Sequence, residues 1–134
     1  MSALSSFLPQ PPDACWRAFI DASVLTGWVP GLRRARVVAL DELGRALEIL
    51  FEYSASLTYS LTYAYDAAAR EVRWEPRAGK RDAVRGFARF DVEGTGTRFT
   101  YSLEPGLART EPALSVGDPA AMVAAFTRWM AGGA

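Results

Sequence analysis

From Arg34 onward, apolar and polar side chains alternate with a period of two, the pattern of strands that turn one face to a core. It is clearest in SLTYSLTYAYD, residues 56–66, where Leu57, Tyr59, Leu61, Tyr63 and Tyr65 share one face and Thr58, Ser60, Thr62 and Ala64 the other. The spacing predicts strands at 34–41, 45–53, 56–65, 70–76, 83–93 and 97–104, each bounded by turn residues. The links between them are so short that neighbours must run antiparallel. Charged positions mark the outside. Leu47, Ile49, Phe51 and Tyr53 oppose Glu48 and Glu52, and Val72 and Trp74 oppose Glu71, Arg73 and Glu75. Phe99, Tyr101 and Leu103 face the same core, as do Val84, Gly86, Ala88, Phe90 and Val92, which leaves Phe87 outside.

The ends of the chain change period. Residues 3–8 read as a strand broken by Pro9, Pro11 and Pro12, after which Asp13 is placed to cap a helix through Ile20 with Trp16, Phe19 and Ile20 on its apolar stripe. A helical turn at Ala22–Thr26 then meets a corner at Gly27, Trp28, Val29, Pro30 and Gly31. After the long connector 105–117, Asp118 caps a last helix with Pro119 at its first position, running to about Met130 before Gly132 and Gly133. Met122, Phe126, Trp129 and Met130 make its stripe. The expected architecture is α+β: a seven-stranded antiparallel sheet, two short helices between its first two strands, and a terminal helix covering the apolar face. Gly86 and Ala88 would leave volume on an otherwise bulky wall.

Composition narrows the function. A chain of 134 residues that is 50% hydrophobic builds one core, so residues 1–134 are expected to form one domain. Fifteen basic and fifteen acidic residues cancel, which removes the electrostatic footprint of a nucleic-acid or anionic-membrane partner. No charged, apolar leader opens the sequence and no run approaches the roughly 20 apolar residues of a spanning helix, so a cytoplasmic protein without membrane insertion is expected. With no histidine, Ser–His and Cys–His pairs are excluded, and the single Cys15 reads as a small apolar helix residue. Neither a metal site nor a cofactor is expected.

Asp41, Glu42, Asp66, Asp82 and Glu93 fall at turns, where turn formation and solvation account for them. Arg33, Arg34 and Arg36 read as a solvated loop end, and 77–81 and 105–117 as candidate gates. The inward polar atoms are then the hydroxyls of Tyr53, Tyr59, Tyr63, Tyr65 and Tyr101, with Tyr65 expected to reach solvent. Such a wall suits a flat, mostly apolar ligand carrying a few oxygens.

One set of residues resembles a known family. Trp16, Phe19, Asp21, Ser23, Leu25, Trp28, Pro30, Gly31, Ala35 and Val37, followed by the strand meander and a helix ending AFTRWM, are similar to the START-like, or SRPBCC, superfamily of polyketide cyclases and lipid carriers. The resemblance covers nearly the whole chain. It implies a helix-grip fold, a curved sheet wrapped round a C-terminal helix with a deep apolar cavity between, although about 13 residues span only roughly 20 Å, short for that family. The ligand wall would comprise Trp28, Phe51, Tyr53, Tyr59, Leu61, Tyr63, Trp74, Gly86, Ala88, Phe90, Phe99, Tyr101, Met122, Phe126 and Trp129. No catalytic residue is assigned. The expected function is binding or carriage of a small hydrophobic molecule. A cyclase or dehydratase is the alternative and would need an ionisable side chain in the pocket. An interaction module with a filled groove is the third reading, and the outer face around Phe87 offers a surface for a homodimer.

Overall fold

The computed structural model describes residues 2–54, 57–76, 85–104 and 119–133. The expected cap at Asp118, the inward Val84 and both candidate gates lie outside the described residues. The elements are β1 (Ser2–Leu8), α1 (Pro12–Phe19), a 3-10 turn (Ala22–Val24), α2 (Leu25–Trp28), β2 (Arg34–Leu40), β3 (Ala46–Ser54), β4 (Leu57–Asp66), β5 (Glu71–Pro76), β6 (Arg85–Glu93), β7 (Gly96–Glu104) and α3 (Pro119–Arg128). A wider turn, Trp129–Gly133, closes α3 as Gly132 takes φ 89°. The seven strands form one antiparallel sheet in the order β1-β7-β6-β5-β4-β3-β2. Each strand lies within two residues of the span that alternation predicts.

The terminal helix covers the apolar face of the sheet as expected, and α1 shares that cover. α1 lies on β6 and β7 with Cys15, Trp16 and Phe19 buried, while α3 packs on β1 and β7. Phe90 and Phe99 stack at 5.1 Å between centroids, Phe126 meets Phe99 at 5.1 Å, and Phe19 lies 5.3–5.8 Å from all three. Phe90, Phe99 and Phe126 are wholly inaccessible. Fully burying a phenylalanine stabilises by about 1.5–3 kcal/mol, so this aromatic knot is the centre of the fold.

Four local expectations are corrected. Asp13 does not cap α1. The helix starts at Pro12 behind an extended Pro11, and the Asp13 carboxylate instead receives Arg70 Nε at 2.6 Å, joining α1 to the β4–β5 turn. Leu47 is 41% exposed, because register shifts make Val38 the extra residue on β2 and Leu47 the extra residue on β3; past the second shift Ala46, not Leu47, is the buried side chain. Val92 keeps the inward phase but is 68% exposed, while Thr97 opposite it on β7 is wholly buried against Cys15 of α1. Gly86 opens no interior space. A Cβ there would stand 2.2 Å from the Ser102 carbonyl oxygen and 3.0 Å from Trp74, so glycine answers a close backbone approach between β6 and β7.

On the outer face, Phe87 is half-buried beneath the Arg73 and Arg89 guanidinium groups, 5.0 and 5.9 Å from its ring. Among the described residues no helix is long and apolar enough to cross a membrane, and no cluster of three His, Cys, Asp or Glu side chains could hold a metal ion.

Candidate functional site

Alternation on β3 and β4 carries Phe51, Tyr53, Tyr59, Leu61 and Tyr63 to one wall, and β5 and β7 continue it with Trp74, Tyr101 and Leu103. Opposite stand Phe19 and Ile20 from α1, Leu25 and Trp28 from α2, and Met122 from α3. Between them lies a cavity of about 70 Å³. That volume holds a few waters or a small fragment, below the roughly 300–1,000 Å³ of a drug-sized site. The physical reason is that Phe19 and Trp28 fill space beneath α3: their rings lie 5.6 Å apart, and Trp28 sits 5.0 Å from Phe126.

The wall is largely aromatic. Phe51, Tyr53 and Tyr59 stack or tilt at 5.6–6.5 Å, Tyr63 reaches Trp74 at 6.3 Å, and Trp74 reaches Tyr101 at 5.4 Å. The Tyr59 hydroxyl donates to the Tyr53 hydroxyl at 3.2 Å. Among the described residues the hydroxyls of Tyr63 and Tyr101 have no hydrogen-bond partner, and the buried Trp28 indole N–H has no acceptor. Burial away from water, helped by the neighbouring phenols, raises the pKa of Tyr53, Tyr63 and Tyr101 well above the usual tyrosine range. All three therefore stay protonated hydrogen-bond donors near neutrality. Tyr65 is not simply a solvent-facing phenol. Its hydroxyl donates to the Ala46 carbonyl at 2.6 Å, Arg45 lies 4.6 Å above its ring, and burial pushes its pKa up to about 12.

No family model matches the chain, and no curated protein matches it either. Solved structures do. TTHA0849 from Thermus thermophilus superposes with a TM-score of 0.78 at 16% identity, covering 98% of this chain and 97% of its own. The Zhui aromatase/cyclase from Streptomyces sp. R1128 gives 0.72 at 11% identity, covering 98% and 91%. A START superfamily protein from Mycobacterium smegmatis gives 0.64 at 13% identity, covering 98% and 94%. The chain has the START-like, or SRPBCC, helix-grip fold. At these identities the likeness speaks for the fold alone.

Within this START-like frame, the residues read from sequence divide in two. Trp28, Phe51, Tyr53, Tyr59, Leu61, Tyr63, Trp74, Tyr101 and Met122 border the cavity. Phe90, Phe99 and Phe126 form the aromatic knot, Ala88 is buried in the sheet, and Gly86 borders a shallow depression beside Phe87 instead. Trp129 lies over Gly27, where a Cβ would come within 2.9 Å of its ring. Ile49, Val72 and Leu103 border the cavity too and carried a signal, the inward phase of their strands. Phe19, Ile20, Ala22, Leu25 and Val29 were the harder omission, because no periodicity says where two short helices dock.

Proposed function

We propose that this protein binds a small, neutral, mostly apolar molecule of one or two rings against the tyrosine wall, as a binder or carrier. The observation that carries this reading is the cavity lining: among the described residues, half of the eighteen that border it are aromatic, and none of these is charged. An anion placed there would lose its water and meet no cation among the described lining residues, which costs several kcal/mol in effective terms. A neutral ligand with a carbonyl or ether oxygen would instead accept from Tyr63 or Tyr101, and ring faces supply the rest of the contact. The narrow cavity implies that a guest larger than a fragment displaces Met122, whose unbranched side chain is suited to yielding. The START-like neighbours include a protein described as an aromatase/cyclase and one described as a STAR-related lipid transfer protein, which agrees with an apolar guest.

A cyclase or dehydratase reading finds no base among the described residues that border the cavity. The phenols could polarise a bound ketone, but with pKa values raised by burial they cannot accept a proton near neutrality. Native mass spectrometry of freshly purified protein, followed by denaturing extraction, tests the proposal. A co-purifying neutral apolar molecule is the expected result, and a strongly retained anion would oppose it.

A further inference from the structure

Strand β2 is one of the two free edges of the sheet, and its sequence RARVVAL carries neither the lysine nor the proline that usually blunts an edge. Val37, Val38 and Leu40 are 44, 55 and 59% exposed, and Leu43 in the adjoining turn is 77% exposed. The other edge, β1, is braced by α3, with the Ser6 and Thr127 hydroxyls 3.2 Å apart. Beyond β3, the 3-10 turn and α2 touch β2, each far more slightly than α3 touches β1.

We propose that β2 pairs antiparallel with β2 of a second copy of this chain, with the two-fold axis between Val37 and Val38. Two independent features select that register. The first is which face each side chain takes. Opposed residues must share a face, so an unbulged strand can pair with itself only when a residue or its even-spaced neighbours meet across the axis. Val38 is an extra residue, and it shifts the phase: Ala35 and Leu40 both lie on the inner face, while Arg36 and Ala39 both lie on the outer. A bulge commonly turns an edge away from pairing. Placed on the axis, this one is what lets Ala35 meet Leu40 of the second copy and Arg36 meet Ala39 of it.

The second feature is charge. The same register brings Arg34 opposite Asp41 of the second copy and Arg33 opposite Glu42 of it, twice by symmetry, and the strand between is apolar except for Arg36 on the outer face. Asp41 already receives Arg45 Nε at 2.8 Å, so Arg33 and Glu42, both exposed, form the cleaner pair. An offset of one residue forfeits the face match, and an offset of two, with Val37 opposite Leu40, sets Arg36 opposite Asp41 but leaves Glu42 opposite Ala35 and Arg33 without its acidic partner.

Sedimentation velocity across a dilution series of the full chain, to about 100 μM, reads the assembly directly. The expected result is a concentration-dependent dimer that Val38→Lys abolishes. Arg33→Glu places two like-charge pairs at the rim and should weaken the dimer by roughly three- to tenfold, with Glu42→Arg in the same chain restoring it. Circular dichroism of each variant separates loss of pairing from loss of fold. A protein monomeric throughout the series would overturn the proposal. So would a dimer indifferent to Val38→Lys, or one in which the double charge exchange restores nothing.

Discussion

Raising the pH strips protons from phenols, and the tyrosine wall makes the consequence large. Tyr53, Tyr63 and Tyr101 have native pKa values far above 10 because burial disfavours the phenolate. In the unfolded chain each titrates near 10. Their contribution to stability is therefore whole below about pH 10 and declines as pH rises, since only the unfolded state gains by ionising. Each contributes about 1.4 kcal/mol of loss at pH 11 and about 2.7 at pH 12, or roughly 4 and 8 kcal/mol for the three. Tyr65, partly exposed and with its pKa near 12, adds less. A domain of this size has about 5–15 kcal/mol in hand, so alkaline unfolding should come near pH 11–12. Phenolate absorbance and far-ultraviolet circular dichroism, followed together, give the test. Most of the phenolate signal should arrive in one step coincident with the loss of ellipticity. If these tyrosines titrate smoothly near pH 10 in a protein that keeps its native ellipticity, the rings face water and the wall is misplaced.

Other consequences are more local. Tyr63→Phe and Tyr101→Phe each remove a hydroxyl that has no protein partner among the described residues, so thermal stability should hold or rise slightly, whereas affinity for an oxygen-bearing ligand should fall about fivefold. Unchanged affinity in both variants, read by calorimetric titration, would take those hydroxyls out of the site. Gly86→Ala drives a Cβ against the Ser102 carbonyl and the Trp74 ring, and a melting temperature lower by roughly 5–15 °C is expected from differential scanning calorimetry. A melting temperature equal to that of the parent chain would show that β6 and β7 separate more readily than their packing implies.

Alternation made the sheet legible because each strand has one wet and one dry face, and charges such as Glu48, Arg73 and Arg98 mark the wet one. It failed where the phase breaks. Nothing in RARVVAL or ALEILFEYS announces that Val38 and Leu47 are extra residues, because a bulge is settled between strands rather than within either. The terminal helix was legible from its stripe, yet the cover over β6 and β7 comes largely from α1. Phe19 touches the Phe90, Phe99 and Phe126 rings through tertiary packing that leaves no trace in local spacing. The tyrosine wall could be read directly. The size of the space before it could not, since that depends on how far Phe19 and Trp28 reach in from the other side.

Calorimetric titration of the protein with 2-naphthol and 2-naphthoate, two rings of one shape that differ in charge, tests the central claim most directly. An aromatic cavity with no cation among its described lining residues should take the neutral naphthol and bind the carboxylate at least about tenfold more weakly. Equal or tighter binding of naphthoate would contradict the neutral site, and failure of both to bind would contradict the cavity's role in taking up a ligand.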